Sequence, residues 1–99
     1  MQQIYIIGNL TRDPELKSTS EGVSVCVFNV AVDRRYKKAN GEKTTDFFRI
    51  NAWRQLGDIC GQYLSKGKKV AVIGELQARQ YDGNDGKTYM SLDINADRV

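Results

Sequence analysis

Residues 46–53 (DFFRINAW) alternate aromatic and polar side chains with apolar ones. Successive side chains of an extended strand point to opposite faces, so this segment predicts a strand with one apolar and one mixed face. The apolar face carries Phe48, Ile50 and Ala52. The mixed face carries Phe47, Arg49, Asn51 and Trp53. Exposed rings with a cation between them favour stacking on unpaired nucleic-acid bases and contact with their phosphates.

Two further aromatic residues stand beside cations. Tyr36 follows Arg34 and Arg35 at the end of a predicted strand, and Tyr81 lies near Arg79. Each ring could stack on a base while its cation contacts a phosphate. An ordinary residue at a strand rim is the alternative for either tyrosine taken alone. Their coincidence with Phe47 and Trp53 favours a binding surface.

Basic residues are clustered although the net charge is only +3. The clusters are Arg34, Arg35, Lys37, Lys38 and Lys43 in one segment, and Lys66, Lys68 and Lys69 in another. Such clusters predict a local positive field that attracts polyanions. For any single lysine, a solubilising turn residue is the better interpretation.

The residues that catalysis most often requires are missing. There is no histidine, so neither a Ser/His/Asp nor a Cys/His set can be assembled. The acidic residues show no spacing that would hold two metal ions. We therefore predict a binding protein without enzymatic activity, cofactor or metal, and we expect Cys26 and Cys60 to be buried, reduced thiols.

Hydrophobic alternation predicts five strands, at about residues 3–10, 23–33, 46–53, 70–76 with a possible extension to 81, and 89–94. Turns are predicted around Pro14, at Asn40-Gly41 and at residues 82–86. In the last strand, Met90, Leu92 and Ile94 are predicted to point inward, and Tyr89, Ser91 and Asp93 outward.

After Trp53 the period changes to that of a helix. The predicted apolar stripe consists of Leu56, Ile59, Cys60, Tyr63 and Leu64, and Gly67 could supply a left-handed C-terminal cap. Five strands with one helix between the third and fourth predict an all-β, five-stranded Greek-key barrel of the OB type in a single domain over residues 1–99. No apolar run is long enough for a membrane span and no signal peptide is recognised, so we expect a cytoplasmic protein.

The chain resembles the bacterial single-stranded DNA-binding proteins along nearly its whole length. The resemblance is carried by residues 7–16 (IGNLTRDPEL), 31–36 (AVDRRY), 46–53 (DFFRINAW), 63–67 (YLSKG) and 74–81 (GELQARQY). It implies an OB fold, usually a homotetramer, that binds single-stranded DNA with little sequence preference and protects it during replication, recombination and repair.

By the same resemblance, the family's stacking aromatics fall on Tyr36, Phe47, Trp53 and Tyr81. Its basic contacts fall on Arg49 and Arg79, and more loosely on Arg35, Lys66 and Lys68. Family members usually continue into a flexible segment with an acidic tip that recruits other proteins. These residues end at Val99, so recruitment through a tip is not expected of them. Two alternatives stay open: an aromatic face that binds a protein, and a small nuclease, which the missing histidine disfavours.

Overall fold

The chain folds into six strands and one helix within the residues that the computed structural model describes, 1–34, 39 and 44–99. For Arg79, Tyr81 and Met90 it describes the backbone only. The elements are β1 Ile4–Leu10, β2 Glu15–Ser18, β3 Ser24–Asp33, β4 Thr45–Trp53, α1 Arg54–Tyr63, β5 Lys69–Asp82 and β6 Thr88–Arg98. The predicted Asn40-Gly41 turn lies outside the described residues.

The strands form one sheet in the order β1-β5-β6-β4-β3-β2, which closes on itself because β1 also pairs with β3. All of these pairings are antiparallel except that of β4 with β6. The barrel consists of β1, β3, β4, β5 and β6, and α1 connects the third and fourth of these strands. The predicted five-stranded OB barrel with one helix is therefore confirmed.

Closure of the barrel depends on a very close approach between β1 and β3. The two strands pair at Asn9 with Ala31 and at Leu10 with Val30. A Cβ atom on Gly8 would lie 2.2 Å from the carbonyl oxygen of Ala31. Only glycine allows two backbones to meet at this distance, so Gly8 is the residue that lets the sheet close.

The core fills the inside of this barrel. Its fully buried side chains come from four strands: Cys26, Val30, Ile50, Val72 and Ile94. Phe48 packs against the same cluster, so the predicted apolar face of β4 is confirmed. Each buried Val, Ile or Phe stabilises the fold by about 1.5–3 kcal/mol relative to an exposed one.

Strand β2 is not predicted from the sequence. Its four residues, Glu-Leu-Lys-Ser, are all exposed, so they show no alternation of buried and exposed positions. It forms because it pairs with the edge of β3, with Leu16 opposite Cys26 and Lys17 opposite Val25. Pairing satisfies its backbone groups, which is a tertiary effect that local sequence does not encode.

The predicted stripe of α1 is only partly correct. Cys60 is buried, and Leu56 and Leu64 pack partly against the core, but Ile59 and Tyr63 are exposed. The helix instead rests on its backbone at Gly57, where a Cβ atom would lie 2.3 Å from a β4 carbonyl oxygen. This contact rotates the buried face toward the glycine and away from the two large side chains.

The predicted C-terminal cap is also wrong. The helix ends at Tyr63, and the next residue, Leu64, is extended and donates its N–H to the carbonyl of Cys60. Gly67 does have a positive φ of 85°. It uses this conformation in the turn that follows, where its N–H binds the carbonyl of Leu10 at 2.8 Å.

Part of the predicted pattern of the last strand is reversed. Asp93 is only 6% exposed and Leu92 is exposed, although Ile94 is fully buried as predicted. Strand β4 pairs with β6 only from Asp93 to Asn95. Leu92 therefore lies where the long β5–β6 hairpin extends beyond the barrel, whereas Asp93 lies in the centre of the sheet and accepts a hydrogen bond from Ser91 Oγ at 2.9 Å.

Both cysteines are buried and unbonded to each other, as predicted. Burial raises the pKa of the Cys26 thiol. Burial, with a further contribution from Cys26, raises the pKa of Cys60 to about 11. No helix in the described ranges is long and apolar enough to cross a membrane.

A matched pair of helix substitutions tests the contact of α1 with the barrel. We expect Gly57→Ala to destabilise the protein by about 1–3 kcal/mol, because its methyl group would collide with backbone. We expect Gly61→Ala, one turn later, to stabilise it by up to about 1 kcal/mol, since its methyl would meet Leu16 at an ordinary 3.8 Å. Urea unfolding measures both, and equal effects would contradict the contact at Gly57.

The raised pKa of Cys60 predicts a loss of stability at alkaline pH. The folded state holds the thiol proton more tightly than the unfolded state, so its contribution is complete below about pH 9 and is lost as pH rises toward 11. We expect the wild-type protein to lose about 2 kcal/mol more than Cys60→Ala between pH 8 and 11. Parallel slopes of unfolding free energy against pH in the two proteins would refute this prediction.

Candidate functional site

The exposed face of β4 carries Phe47, Arg49, Asn51 and Trp53, and we call it the β4 face. Phe47 is 66% exposed and Trp53 is 42% exposed, so both rings point outward as the alternation predicts. Their partners on β3 are the smaller side chains Ala31 and Val25. Small neighbours leave the two ring faces accessible along the barrel surface.

The ring of Trp53 is held in one orientation by β6. Its Nε1–H donates to Asn95 Oδ1 at 3.3 Å. Asn95 is the register partner of Asn51, which precedes Trp53 by two residues on the same face. Because the indole is fixed by its nitrogen edge, its π-face is presented before any ligand arrives.

Arg49 lies between the two rings and carries an unsatisfied polar atom. Its Nε is buried and forms no hydrogen bond with any of the described residues. A buried guanidinium nitrogen without a partner is costly, and an acceptor such as a water or a ligand oxygen would satisfy it. A groove of about 210 Å³ lies next to Arg49 and is bordered by Arg12, Asp13, Glu15 and Lys17. We call it the Arg49 groove.

The acidic residues of the Arg49 groove are already engaged. Asp13 Oδ1 accepts the backbone N–H of Lys66 at 2.9 Å. Glu15 lies 3.4 Å from Lys17 Nζ. In the described part of the chain, Arg12 and Arg49 form no salt bridge. Three cations and two carboxylates line the groove, so it keeps a small positive charge and suits an anionic group such as a phosphate.

Arg12 and Lys17 were not among the predicted site residues. They reach the groove because β2 adds a strand to the edge of β3, and the sequence pattern does not reveal β2. The sequence gives one signal for these two residues, which is that a basic residue stands on either side of the Asp-Pro turn. Lys66 does not line the groove, but its backbone N–H contacts Asp13, which does. Lys68 instead donates from Nζ to the carbonyl of Tyr63 at 2.9 Å.

Arg34 forms a two-pronged ion pair with Asp46. Its Nε and Nη2 donate to the two carboxylate oxygens at 2.9 Å each. These hydrogen bonds hold the pKa of Asp46 below its usual value and raise the pKa of Arg34. The pair connects the end of β3 to the start of β4, directly before Phe47. Exposed pairs contribute little stability, so its main effect is to position the two strand ends.

The remaining predicted residues are described less completely. Arg35 and Tyr36 lie outside the described residues. Arg79 and Tyr81 occupy β5 of the β5–β6 hairpin, with Ser91 and Tyr89 as their register partners. Tyr89 is a further exposed aromatic residue, and its hydroxyl donates to Asp85 across the hairpin loop. This bond contributes most to keeping the pKa of Asp85 below its usual value.

A closed five-stranded barrel with an aromatic and cationic outer face defines an OB-fold binding module. Comparison with known proteins makes this more specific. A model of the single-strand binding protein family matches residues 1–99. The chain belongs to the single-strand binding protein family, and the resemblance drawn from its motifs is confirmed.

Individual relatives agree with this assignment. The single-stranded DNA-binding protein of Caldanaerobacter subterraneus subsp. tengcongensis is 40% identical over 99 residues, which cover 100% of this chain and 66% of that protein. Single-stranded DNA-binding protein 3 of Listeria innocua serovar 6a is 39% identical over 99 residues, covering 100% of this chain and 62% of that protein. The chain thus spans slightly less than two thirds of the length of these relatives.

Among solved structures, the chain is similar to a small single-stranded DNA-binding protein from Streptomyces coelicolor. The TM-score is 0.79 at 29% sequence identity, and the match covers 97% of this chain and 89% of that chain. Similarity over nearly the whole barrel supports the strand order and the placement of α1 described above.

Proposed function

We propose that this chain binds single-stranded DNA with little sequence preference, as a binding protein and not as an enzyme. The observation that carries the proposal is the β4 face, where two exposed rings flank an arginine whose buried Nε has no partner within the described residues. The names of its relatives support the same ligand. By family resemblance, the bound DNA would be protected during replication, recombination and repair.

Stacking supplies the first part of the binding energy. Phe47 and Trp53 each offer a flat ring to a base, and base–aromatic stacking contributes about 1–3 kcal/mol per base in proteins of this kind. Every base has a π-face, so stacking tolerates any sequence. Duplex DNA should bind poorly because its bases are already stacked on one another. Tyr36 and Tyr81 are proposed as further stacking residues from the resemblance.

Phosphate contacts supply the second part, and they depend on salt. Arg49 and Arg12 are proposed to contact phosphate in the Arg49 groove, with Lys17 in its lining and Lys66 next to Asp13. Arg35, Lys68 and Arg79 are proposed as outer contacts from the resemblance. Arg34 keeps its charge paired with Asp46, so we expect it to contribute less than an unpaired arginine.

We also propose self-association as a homotetramer. Tyr5 and Ile7 of β1 are large, exposed hydrophobic residues, and a subunit contact would remove them from water. Light scattering should then report about four times the chain mass of 11.2 kDa. A monomer mass at working concentration would contradict the tetramer, although it would leave DNA binding intact.

Substitution of Phe47, the more exposed of the two rings of the β4 face, tests stacking. We expect Phe47→Ala to weaken binding of labelled oligo(dT) about 5- to 150-fold, the equivalent of one lost stacking contact, with an unchanged salt slope. Tyr63→Ala is the matched control, because Tyr63 is 63% exposed but lies on α1 outside the β4 face. Anisotropy titration measures both. Equal losses in the two variants, or an equal loss of duplex binding, would contradict the stacking role.

Substitution of the central arginine tests the phosphate contact. The slope of log K against log salt is negative, and we expect Arg49→Gln to reduce its magnitude by about 0.7, the value for one neutralised phosphate on a single strand. Arg98→Gln removes an exposed charge that does not border the Arg49 groove, and it should change the slope less. If the slope is the same with and without Arg49, Arg49 does not contact phosphate, and the β4 face binds the strand by its rings alone.

A further inference from the structure

A second groove, of about 470 Å³, lies beside Trp53 at the start of α1. Its lining consists of Thr19, Ser20, Glu21, Val23, Trp53 and Arg54. We call it the Arg54 groove. Trp53 belongs to both this groove and the β4 face, so the two surfaces are continuous. Among the predicted site residues whose side chains the structure describes, Trp53 alone borders it.

Arg54 has an unusual backbone conformation. Its φ is 59°, and no other residue apart from glycines has a positive φ in the described part of the chain. This left-handed conformation is strained for a residue with a Cβ atom, and strain of this kind tends to occur where a side chain is held for a purpose. Ser24 Oγ donates to the carbonyl of Arg54 at 3.4 Å and helps to hold it.

The opposite wall of the groove is formed before any ligand binds. It is the turn between β2 and β3, closed by a hydrogen bond from the N–H of Gly22 to the carbonyl of Thr19 at 2.9 Å. The side chain of Thr19 also accepts the N–H of Val23 at 3.2 Å. A preformed groove loses little conformational freedom on binding, which is typical of ligand sites.

The charges of the groove suit a nucleotide. Among the described residues, the guanidinium of Arg54 forms no salt bridge, so its donors are available to a phosphate. Trp53 offers an aromatic face beside it, oriented by Asn95. Glu21 is the acidic residue of the lining, and its charge would weaken the binding of a polyanion without preventing it.

We infer that the Arg54 groove holds the nucleotide whose base stacks on Trp53, with the phosphate of that nucleotide on Arg54. This inference rests on the proposed function. It extends the path of the strand beyond the β4 face, over the start of α1 and along the β2–β3 turn. The groove is then a non-specific subsite, because ring stacking and one phosphate contact read no base edge.

One substitution separates binding from folding. We expect Arg54→Gly to raise the melting temperature, since glycine adopts a φ of 59° without strain. The same variant should bind oligo(dT) about 3- to 10-fold more weakly, with a salt slope whose magnitude is reduced by about 0.7. Binding and stability move in opposite directions, so damage to the fold cannot account for the loss. Arg54→Lys keeps the charge and should retain most of the salt slope.

A second pair of variants tests the opposite wall. Glu21→Gln removes the acidic charge of the groove and should tighten binding about 2- to 5-fold at low salt. Asp97→Asn is the matched control, because Asp97 is exposed on β6 and borders neither groove. Trp53 is the single tryptophan of the chain, so quenching of its fluorescence by oligo(dT) reports directly on this surface.

The outcomes distinguish the inference from the function on which it rests. If Arg54→Gly melts at a higher temperature and binds oligo(dT) with wild-type affinity and slope, the strand does not pass through the groove, and stacking on the β4 face still stands. If oligo(dT) does not bind even the wild-type protein at low salt, both the proposed function and the inference are overturned. Weaker binding by Arg54→Gly, together with tighter binding by Glu21→Gln and unchanged binding by Asp97→Asn, would support the inference.

Discussion

Closure of the barrel between β1 and β3 is the constraint on which the rest of the structure depends. It requires a backbone contact at Gly8 too close for any Cβ atom. Once the sheet closes, β4 lies between β3 and β6 with one face packed against the core. Its other face must then point to solvent, whatever side chains it carries. The exposure of Phe47 and Trp53 follows from this geometry, because their alternation with Phe48, Ile50 and Ala52 leaves no other placement.

The neighbours of β4 convert an exposed face into a shaped surface. Strand β6 fixes the ring of Trp53 through Asn95. On the other side, β2 extends the sheet by one strand and places charged side chains along the groove beside Arg49. The turn after β2 then continues to Arg54. One short hairpin therefore borders both grooves, which explains why they share a continuous face.

The cations of this surface differ in how they are paired, and this difference matters more than the small net charge. Arg34 is held by Asp46, and Lys17 lies beside Glu15. Within the described residues, Arg12, Arg49 and Arg54 form no salt bridge. Unpaired guanidinium groups keep their donors for an incoming phosphate, whereas paired ones must first give up a carboxylate. The positive field is thus concentrated beside the aromatic rings.

Local sequence determined the strand alternation of β4, the five barrel strands, the position of α1 and the burial of both cysteines, because periodicity reports which face a side chain takes within one element. Only the tertiary structure decided the existence of β2, the exposure of Ile59 and Tyr63, and the exchange of Leu92 with Asp93. Each of these depends on a neighbouring strand or a glycine contact distant in sequence. The site divides in the same way. The two rings and the arginine of the β4 face can be predicted from one segment. Arg12, Lys17 and Arg54 join the site through pairing between segments that no local pattern encodes.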